Sequence, residues 1–239
     1  MRLAALGVRL AIRAIAPGDE AAFAEPGEPL ARRRASGAAR VAARVALAAL
    51  GGPADAALPR SPGRFPLWPP GFVGSLAHDE EIAVAVAARS ERAAALGVDI
   101  EPAKPLPEDV AGIVLKQSER LACARDPTLS RAVFAAKEAV YKAINPLDGS
   151  PLEYEDIEVN LAGGTARLRD GRALRLVWER GDLLVFAKRQ GLRASPHREP
   201  AAAAPPDRPA PVESILVVAV VQPPAIRATR SWASFFSAG

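Results

Sequence analysis

The chain has 239 residues, of which 49% are hydrophobic, 24% are charged and 5% are aromatic, and its formal net charge is +4. This hydrophobic fraction excludes wholesale disorder, because the chain has enough apolar side chains to form a core. No apolar run reaches the ~18 residues that a membrane-spanning helix needs, and arginines interrupt the start of the chain before a signal-peptide core can form. We therefore expect a soluble, cytoplasmic globular protein.

Metal-binding side chains other than carboxylates are scarce in this composition. One cysteine, Cys123, and two histidines, His78 and His197, leave no set of thiol or imidazole ligands for a metal ion. A bound metal would therefore be held by carboxylates, which select hard cations such as Mg²⁺ or Mn²⁺. The excess of basic residues suggests an acidic or phosphate-bearing partner.

The first half of the chain predicts one long helix followed by strands. Small apolar residues and arginines at helical spacing predict a helix over 28–50, which ends at a Gly-Gly-Pro sequence. Residues 53–71 are rich in proline and glycine and predict a loop. Apolar runs bounded by turn residues predict strands over 72–77, 82–88 and 95–101.

The second half predicts helices followed by a sheet. Apolar residues at helical spacing predict helices over 108–124 and 130–144, with a turn at 146–149. Strands are predicted over 154–160, 165–168, 173–178 and 183–187. The segment 191–211 has the proline-rich composition of a linker, and the β-branched run at 212–222 predicts a last strand that returns to the second sheet.

Together these elements predict an α+β protein of two similar lobes, each with a small, mostly antiparallel sheet and a long helix. We place the lobes at residues 1–106 and 107–222, with 191–211 as a proline-rich insertion in the second lobe and 223–239 as a tail. The active site is expected at the interface of the lobes.

Two carboxylates on a predicted strand form the first candidate site. In the sequence Gly-Val-Asp-Ile-Glu at 97–101, Asp99 and Glu101 share one face, since alternate side chains of a strand point the same way. Their Cβ atoms lie about 7 Å apart, so that both side chains can converge on one cation. The alternative is a solvated strand edge, the usual place for charged residues.

A second candidate site lies in the predicted helix over 130–144. Its apolar stripe passes through Lys137, where an aliphatic residue is expected, and such inconsistencies tend to fall at functional sites. Alternatively, the lysine stem snorkels along apolar surface. Glu138 and Lys142 have the spacing of an ordinary helix ion pair. With the two strand acids, however, they form a set of groups suited to binding a magnesium pyrophosphate.

These motifs resemble those of the 4'-phosphopantetheinyl transferases of the surfactin and enterobactin-synthase type, a Gly-Val-Asp-Ile-Glu strand and a Lys-Glu-Ala-x-x-Lys helix. Residues 97–101 and 137–142 match both motifs. Residues 68–78 resemble the upstream Trp-Pro-x-Gly segment that ends in a histidine, and the helix over 28–50 resembles the first helix of the enterobactin-synthase branch. The resemblance spans residues 28–160.

The resemblance implies an enzyme that transfers phosphopantetheine from coenzyme A to a serine of an acyl or peptidyl carrier protein and releases adenosine 3',5'-bisphosphate. Such enzymes serve siderophore, nonribosomal peptide or polyketide biosynthesis. It also implies magnesium ligands at Asp99, Glu101 and Glu138, with Mn²⁺ as the alternative ion. The catalytic group would comprise Glu138, Lys142 and Lys137, and the base that takes the serine proton is either Glu138 or a metal-bound water.

For the coenzyme, the resemblance implies that His78 and Arg64 bind the 3'-phosphate. Arg33 and Arg40 are further candidates for a phosphate, although arginines on a helix are by default a solvated face. Two alternatives stay open, a magnesium-dependent phosphohydrolase that uses the same acids and a nucleic-acid-binding protein that uses the basic helix. We expect a monomer with no nucleic-acid partner and no membrane span.

Overall fold

The structure, a computed structural model, describes residues 2–23, 27–149, 151–185 and 213–223. The predicted insertion at 191–211 and the tail beyond 223 therefore lie outside the described residues. Among the helices of the described ranges, none combines the length and the hydropathy that a membrane crossing requires.

The described residues form helices and strands in two blocks. The α-helices are α1 (Arg2–Ala5), α2 (Leu30–Ala48), α3 (Glu108–Val114), α4 (Gln117–Cys123) and α5 (Leu129–Asp148). The strands are β1 (Arg9–Ala14), β2 (Phe72–His78), β3 (Ile82–Arg89), β4 (Ala95–Pro102), β5 (Ile157–Asn160), β6 (Thr165–Leu168), β7 (Ala173–Gly181) and β8 (Ser214–Val221). The helices α3 to α5 thus separate strands β1–β4 from strands β5–β8.

The strands form two antiparallel sheets, which makes the chain an α+β protein as predicted. The first sheet has the order β1-β3-β2 and the second has the order β4-β8-β7-β6-β5. Strand β8 pairs with β4 on one side and β7 on the other, so the predicted return of the last strand to the second sheet is confirmed. Strand β4 precedes the predicted boundary between residues 106 and 107, and the division of the chain there stays a prediction.

The two sheets pack face to face between the helices α2 and α5. Alternate residues of the central strands, such as Val86 of β3 and Val218 of β8, fill the layer between the sheets. On the outer faces, Ala85 of β3 packs in the cluster that includes α2, and Val217 of β8 packs in the cluster that includes α5. Two cores of helix on sheet therefore enclose a third core of sheet on sheet.

In the first half, the predicted helix over 28–50 and the three predicted strands are confirmed as α2 and β2 to β4. The structure adds α1 and β1, for which the sequence analysis predicted no element. Leu10 and Ile12 of β1 pack in the core between the sheets, and Ala11 packs in the cluster that includes α2. The run is short and ends in Arg13 and Ala14, so its pattern is weak when read alone.

The predicted single helix over 108–124 is wrong, because the structure has two helices there, α3 and α4. Leu115 adopts an extended backbone with φ −93° and ψ 129°, which ends α3. The backbone N–H of Lys116 then donates to the side chain of Glu119 at 2.8 Å, and this capping interaction begins α4. Apolar periodicity does not reveal such a break, because the apolar residues on its two sides still fit one helical pattern.

Two further predictions differ from the structure around α5 and the second sheet. Helix α5 continues to Asp148 with Pro146 inside it, so the predicted turn over 146–149 is wrong, and it ends at Gly149 in the left-handed region with φ 66°. The predicted strand over 183–187 is also wrong, because its described part is helical.

The remaining strands of the second sheet differ from the prediction only at their ends. Strand β6 has the predicted bounds. The strand predicted over 154–160 begins at Ile157, after a short 3-10 helix at Tyr154–Asp156. The strand predicted over 173–178 continues to Gly181.

Candidate active site

Helix α5 lies directly on strand β4, and Gly97 makes this contact possible. A Cβ atom at Gly97 would stand 1.7 Å from the carbonyl oxygen of Ala139, closer than any two such atoms can approach. Glycine in a strand often marks such a close approach of another backbone. Asp99 and Glu101 follow on the same face of the strand, so the contact sets both carboxylates beneath the helix that carries Glu138.

The Asp99 carboxylate is the most deeply buried of these acids. Its Oδ1 atom lies 2.6 Å from the Nζ atom of Lys142, and only 6% of the residue is exposed. The Oδ2 atom is buried and has no hydrogen-bond partner among the described residues. Burial raises the pKa of Asp99 to about 6, although the positive charge of Lys142 opposes this shift.

Glu101 is held by an arginine that the sequence analysis did not single out. The Nη1 atom of Arg131, on α5, donates to Glu101 Oε2 at 3.1 Å, and its Nε atom donates to the carbonyl oxygen of Lys104 at 3.2 Å. Burial raises the pKa of Glu101, and the charge of Arg131 acts in the opposite direction. Arg131 follows Glu101 by thirty residues in sequence, so no local pattern connects the two.

Glu138 is held by a tyrosine that the sequence analysis also missed. The phenol hydroxyl of Tyr154 donates to Glu138 Oε1 at 2.7 Å. Among the described contacts, Lys142 pairs with Asp99 rather than with Glu138, so the ion pair suggested by the spacing of Glu138 and Lys142 is not formed. Helix α5 instead directs Lys142 toward Asp99 on β4 and Glu138 toward Tyr154, which precedes β5.

The negative charges of the three acids repel one another, and carboxylate oxygens are the ligands that a hard cation prefers. The negative charges of Glu101 and Glu138 both contribute to the raised pKa of Asp99. A cation among the carboxylates would offset this repulsion and give the orphan oxygen of Asp99 a partner. As they stand, however, no group of three or more His, Cys, Asp or Glu side chains in the described ranges is close enough to hold a metal ion. A metal would therefore draw the acids together and draw Asp99 and Glu101 away from the cations Lys142 and Arg131.

Lys137 points away from this group, and its predicted part in catalysis does not fit its placement. The side chain is fully buried, and its Nζ atom lies 2.8 Å from Glu119 Oε2. The ammonium also donates to the carbonyl oxygens of Val114 at 2.7 Å and Tyr154 at 2.9 Å. These three partners use all three N–H donors of the ammonium. Lys137 is therefore an interior lysine held by an ion pair rather than a snorkelling one, and its part in catalysis stays a prediction.

The predicted coenzyme-binding residues divide into two groups. Burial, followed by the positive charge of Lys142, lowers the pKa of His78 at the end of β2, so the free imidazole is neutral at neutral pH. Arg64 is 66% exposed and makes a loose ion pair with Glu28 at 3.5 Å. The Nε atom of Arg33 is buried and has no hydrogen-bond partner among the described residues. These three side chains keep donors for a ligand.

Arg40, by contrast, is an interior residue of the first half, and its role at a phosphate stays a prediction. It is 4% exposed, and it donates to the carbonyl oxygens of Leu58 at 2.9 Å and Ser36 at 3.0 Å. Its guanidinium lies 3.3 Å from the ring centre of Phe23. Helix α2 therefore uses this arginine to hold the neighbouring loop rather than to present a basic surface.

Two cavities border the group of charged residues. A cavity of about 440 Å³ lies between loop 63–68, strand β2 and the C-terminal half of α5, and both Arg64 and Lys142 line it. A smaller cavity of about 210 Å³ is lined by Glu138 and Tyr154. Because Glu138 and Lys142 are one helical turn apart, both cavities border the same acid and lysine group.

Two family models together match most of the described chain. The model of the 4'-phosphopantetheinyl transferase N-terminal domain matches residues 20–88. The model of the 4'-phosphopantetheinyl transferase superfamily matches residues 95–195, which include β4 and α5.

Curated relatives agree with these models. The chain is 44% identical to the 4'-phosphopantetheinyl transferase Svp of Streptomyces mobaraensis over 50% of this chain and 51% of that protein. It is 37% identical to Npt of Nocardia iowensis, over 66% of this chain and 68% of that protein, and 37% identical to PptT of Mycobacterium tuberculosis, over 54% and 60%. The match thus spans about half of the length of Svp. From the two models and these relatives, we conclude that the chain belongs to the 4'-phosphopantetheinyl transferase family.

Proposed function

We propose that this protein transfers the 4'-phosphopantetheine group of coenzyme A to a serine of an acyl or peptidyl carrier protein in a magnesium-dependent reaction. The observation that carries the proposal is the convergence of β4 and α5, which sets the acids of both family motifs and Lys142 side by side. Carrier proteins of siderophore, nonribosomal peptide or polyketide assembly are the substrates to try first. The names of the three relatives support the same reaction.

In this reaction the serine oxygen forms a bond to the β-phosphorus of coenzyme A. The bond from that phosphorus to the bridging oxygen breaks, and the oxygen leaves with the bonding electron pair on adenosine 3',5'-bisphosphate. Asp99, Glu101 and Glu138 would hold Mg²⁺, which when bound neutralises the negative charge of the pyrophosphate. Glu138 also suits the serine proton, because Tyr154 engages its Oε1 atom and Oε2 makes no hydrogen bond to the described residues.

Lys142 is suited to the leaving phosphate. It lines the larger cavity, and its side chain is 31% exposed, so a ligand there can reach the ammonium. In the free protein this charge is paired with Asp99 at 2.6 Å. A cation that takes over Asp99 would leave the ammonium to the pyrophosphate, where a positive charge stabilises the developing negative charge.

We place the coenzyme along the larger cavity, with its 3'-phosphate toward His78, Arg64 and Arg33. Arg64 and Lys142 line this cavity, and the charge of Lys142 acts on His78, which supports a position of the basic groups close to the acid group. A phosphate would raise the lowered pKa of His78 and favour the imidazolium. Each charge-assisted hydrogen bond contributes roughly 1.5–3 kcal/mol, so we expect 3'-dephospho-coenzyme A to have a KM at least ~10-fold higher. Equal KM values would remove these residues from the site.

The proposal is tested by mass spectrometry of an apo carrier protein after incubation with this protein, coenzyme A and Mg²⁺. We expect the carrier to gain the mass of phosphopantetheine and to gain none when a chelator is present. A magnesium phosphohydrolase would instead consume coenzyme A without any carrier and leave the carrier mass unchanged. No gain in mass with any acyl or peptidyl carrier would refute the transferase.

A further inference from the structure

Tyr154 makes a contact with the acid group that neither family motif contains. It begins the 3-10 helix at Tyr154–Asp156, which precedes β5, and its hydroxyl donates to Glu138 Oε1 at 2.7 Å. The residue thus lies between the end of α5 and the second sheet, outside both motif segments, 97–101 and 137–142. Its phenol is nevertheless part of the wall of the cavity beside Glu138.

The partner of Glu138 differs in kind from the partners of the other two acids. Asp99 faces the ammonium of Lys142, and Glu101 faces the guanidinium of Arg131. Each of these cations competes with a metal ion for its carboxylate. A phenol is neutral, so Tyr154 fixes one oxygen of Glu138 without cancelling the negative charge that a metal ion or a proton needs.

Hydrogen bonds to the backbone of Tyr154 and packing of its ring hold this residue in place. The Tyr154 carbonyl oxygen accepts a hydrogen bond from the buried Lys137 at 2.9 Å, and Lys137 is paired with Glu119 at 2.8 Å. Glu119 also accepts the backbone N–H of Val159 on β5 at 2.8 Å. The tyrosine ring packs against Phe134, with ring centres 6.0 Å apart. This network gives the hydroxyl little freedom to leave Glu138.

The phenol also keeps its proton. A tyrosine phenol ordinarily loses its proton only at about pH 10, so the hydroxyl is a hydrogen-bond donor to Glu138 at neutral pH. The hydrogen bond therefore orients Glu138 in one way, with Oε1 at the tyrosine. Groups that hydrogen-bond a metal-ligating carboxylate commonly fix the orientation of that ligand.

We propose that Tyr154 is a positioning residue for Glu138, which holds one carboxylate oxygen so that the other is presented to the metal ion and the serine proton. This inference rests on the proposed function for the identity of the metal ion. It assigns the buried Lys137 and Glu119 pair a purpose as well, because that pair fixes the backbone from which Tyr154 extends.

The test compares Tyr154→Phe with the wild type by Mn²⁺ binding, measured from the electron paramagnetic resonance signal of free Mn²⁺ in the absence of coenzyme A. The ring remains in the variant and only the hydroxyl is lost. Loss of a group that orients a metal ligand typically weakens metal binding by about 10–100-fold, so we expect the Kd for Mn²⁺ to rise at least ~10-fold. The Mg²⁺ concentration for half-maximal transfer should rise in parallel, with partial recovery of kcat at saturating Mg²⁺.

Tyr141→Phe is the matched control for Mn²⁺ binding. Tyr141 lines the same small cavity, and its hydroxyl makes no hydrogen bond to the described residues. We therefore expect its removal to leave the Kd for Mn²⁺ within about twofold of the wild-type value, since no orienting contact is lost. An equal rise in both variants would show a general effect of the cavity and would overturn the assignment to Tyr154.

A second measurement does not depend on the folding of the Tyr154 variant. The chain has two tyrosines, so protein labelled with 3-fluorotyrosine gives two ¹⁹F resonances, which Tyr141→Phe assigns. We expect Mg²⁺ to shift the Tyr154 resonance and to leave that of Tyr141 nearly unchanged. No shift at Tyr154 under saturating Mg²⁺ would overturn the inference.

The outcomes also separate this inference from the proposed function. If the wild type transfers phosphopantetheine and binds Mn²⁺, but Tyr154→Phe binds Mn²⁺ equally well, the positioning role is wrong and the proposed function stands. If the wild type neither binds Mn²⁺ nor modifies a carrier protein, both are wrong. Weaker Mn²⁺ binding by Tyr154→Phe alone, with a shifted ¹⁹F resonance, supports the inference.

Discussion

At the scale of single residues, the acid group is built at a cost in stability. Asp99 is buried, one of its oxygens has no hydrogen-bond partner in the part of the chain that the structure describes, and burial raises its pKa from the ordinary 3.8 to about 6. A raised pKa means that the folded state holds the proton more tightly than the unfolded state does. The ionised carboxylate therefore opposes folding.

This cost predicts how Asp99→Asn affects stability at different pH values. Relative to the variant, the wild type is most stable below about pH 4, loses stability as the pH rises toward about 6, and changes little above that. A shift of about two pKa units corresponds to about 3 kcal/mol, so Asp99→Asn should gain up to about this free energy of unfolding between pH 4 and pH 8. Urea unfolding of both proteins across this range measures the difference, and a difference independent of pH would contradict it.

The residues that the sequence predicted for this site and those it missed differ in how local their contacts are. Strand alternation and helical spacing predicted Asp99, Glu101, Glu138 and Lys142, because each motif is read within a few residues. The contacts of Arg131 and Tyr154 with the acids depend on how α5 packs against β4 and against the residues before β5. No local sequence pattern predicts this packing. A lysine on an apolar helix stripe indicated a functional site, but the same pattern arises when the lysine forms an interior ion pair, as Lys137 does.

At the scale of the elements, the contact between α5 and β4 is the one that the site depends on. Gly97→Ala would place a Cβ atom 1.7 Å from the Ala139 carbonyl oxygen, so the helix has to move off the strand. Overpacking of this kind costs roughly 1–3 kcal/mol or more. We expect a lower melting temperature and a lower transfer rate even where the variant is folded, because the acids of the two elements separate.

Gly112→Ala is the matched control for Gly97→Ala. Gly112 lies in α3, and a Cβ atom there meets only the end of the flexible Arg120 side chain at 3.4 Å. Alanine has a higher helix propensity than glycine by up to about 1 kcal/mol, so this variant should be as stable as the wild type or more stable. A melting temperature of Gly97→Ala equal to that of Gly112→Ala would show that β4 tolerates a side chain beneath α5.

The buried pair of Lys137 and Glu119 joins α5 to α4 and predicts a second effect at this scale. Lys137→Met leaves Glu119 charged and buried without its partner, which typically costs about 3–5 kcal/mol. Adding Glu119→Gln removes the uncompensated charge, so the double variant should recover much of the loss in urea unfolding. A Lys137→Met variant of wild-type stability with no transfer activity would instead restore the catalytic role predicted from the sequence.

The element predictions failed where tertiary contacts outweigh local pattern. The break between α3 and α4 depends on the capping contact of Glu119, whose other oxygen binds β5. Helix α5 continues through Pro146, although a proline in the interior of a helix usually kinks or breaks it. A long periodic segment such as α2 could be predicted from its sequence pattern alone, without knowledge of tertiary contacts.

At the scale of the whole molecule, two helices and two sheets stack so that strand β4 of the second sheet also lies against the first. The backbone N–H of Val98 on β4 donates to the Ser75 hydroxyl on β2 at 3.1 Å, which ties the two sheets together beside the site. The end of β2 carries His78, and the cavity between β2 and α5 is lined by Arg64 and Lys142. The fold thus brings a basic residue of loop 63–68 and the lysine partner of Asp99 to the same cavity.

The most direct test of this arrangement is the intact mass of an apo carrier protein after incubation with coenzyme A and Mg²⁺, with either the wild type or Asp99→Asn. We expect the wild type to add the mass of phosphopantetheine to the carrier. We expect no added mass over the same time with the variant, whose folding the urea measurements verify independently. Full modification by Asp99→Asn, or none by the wild type, would contradict the claim that the acids of β4 and α5 form the centre of a phosphopantetheinyl transferase.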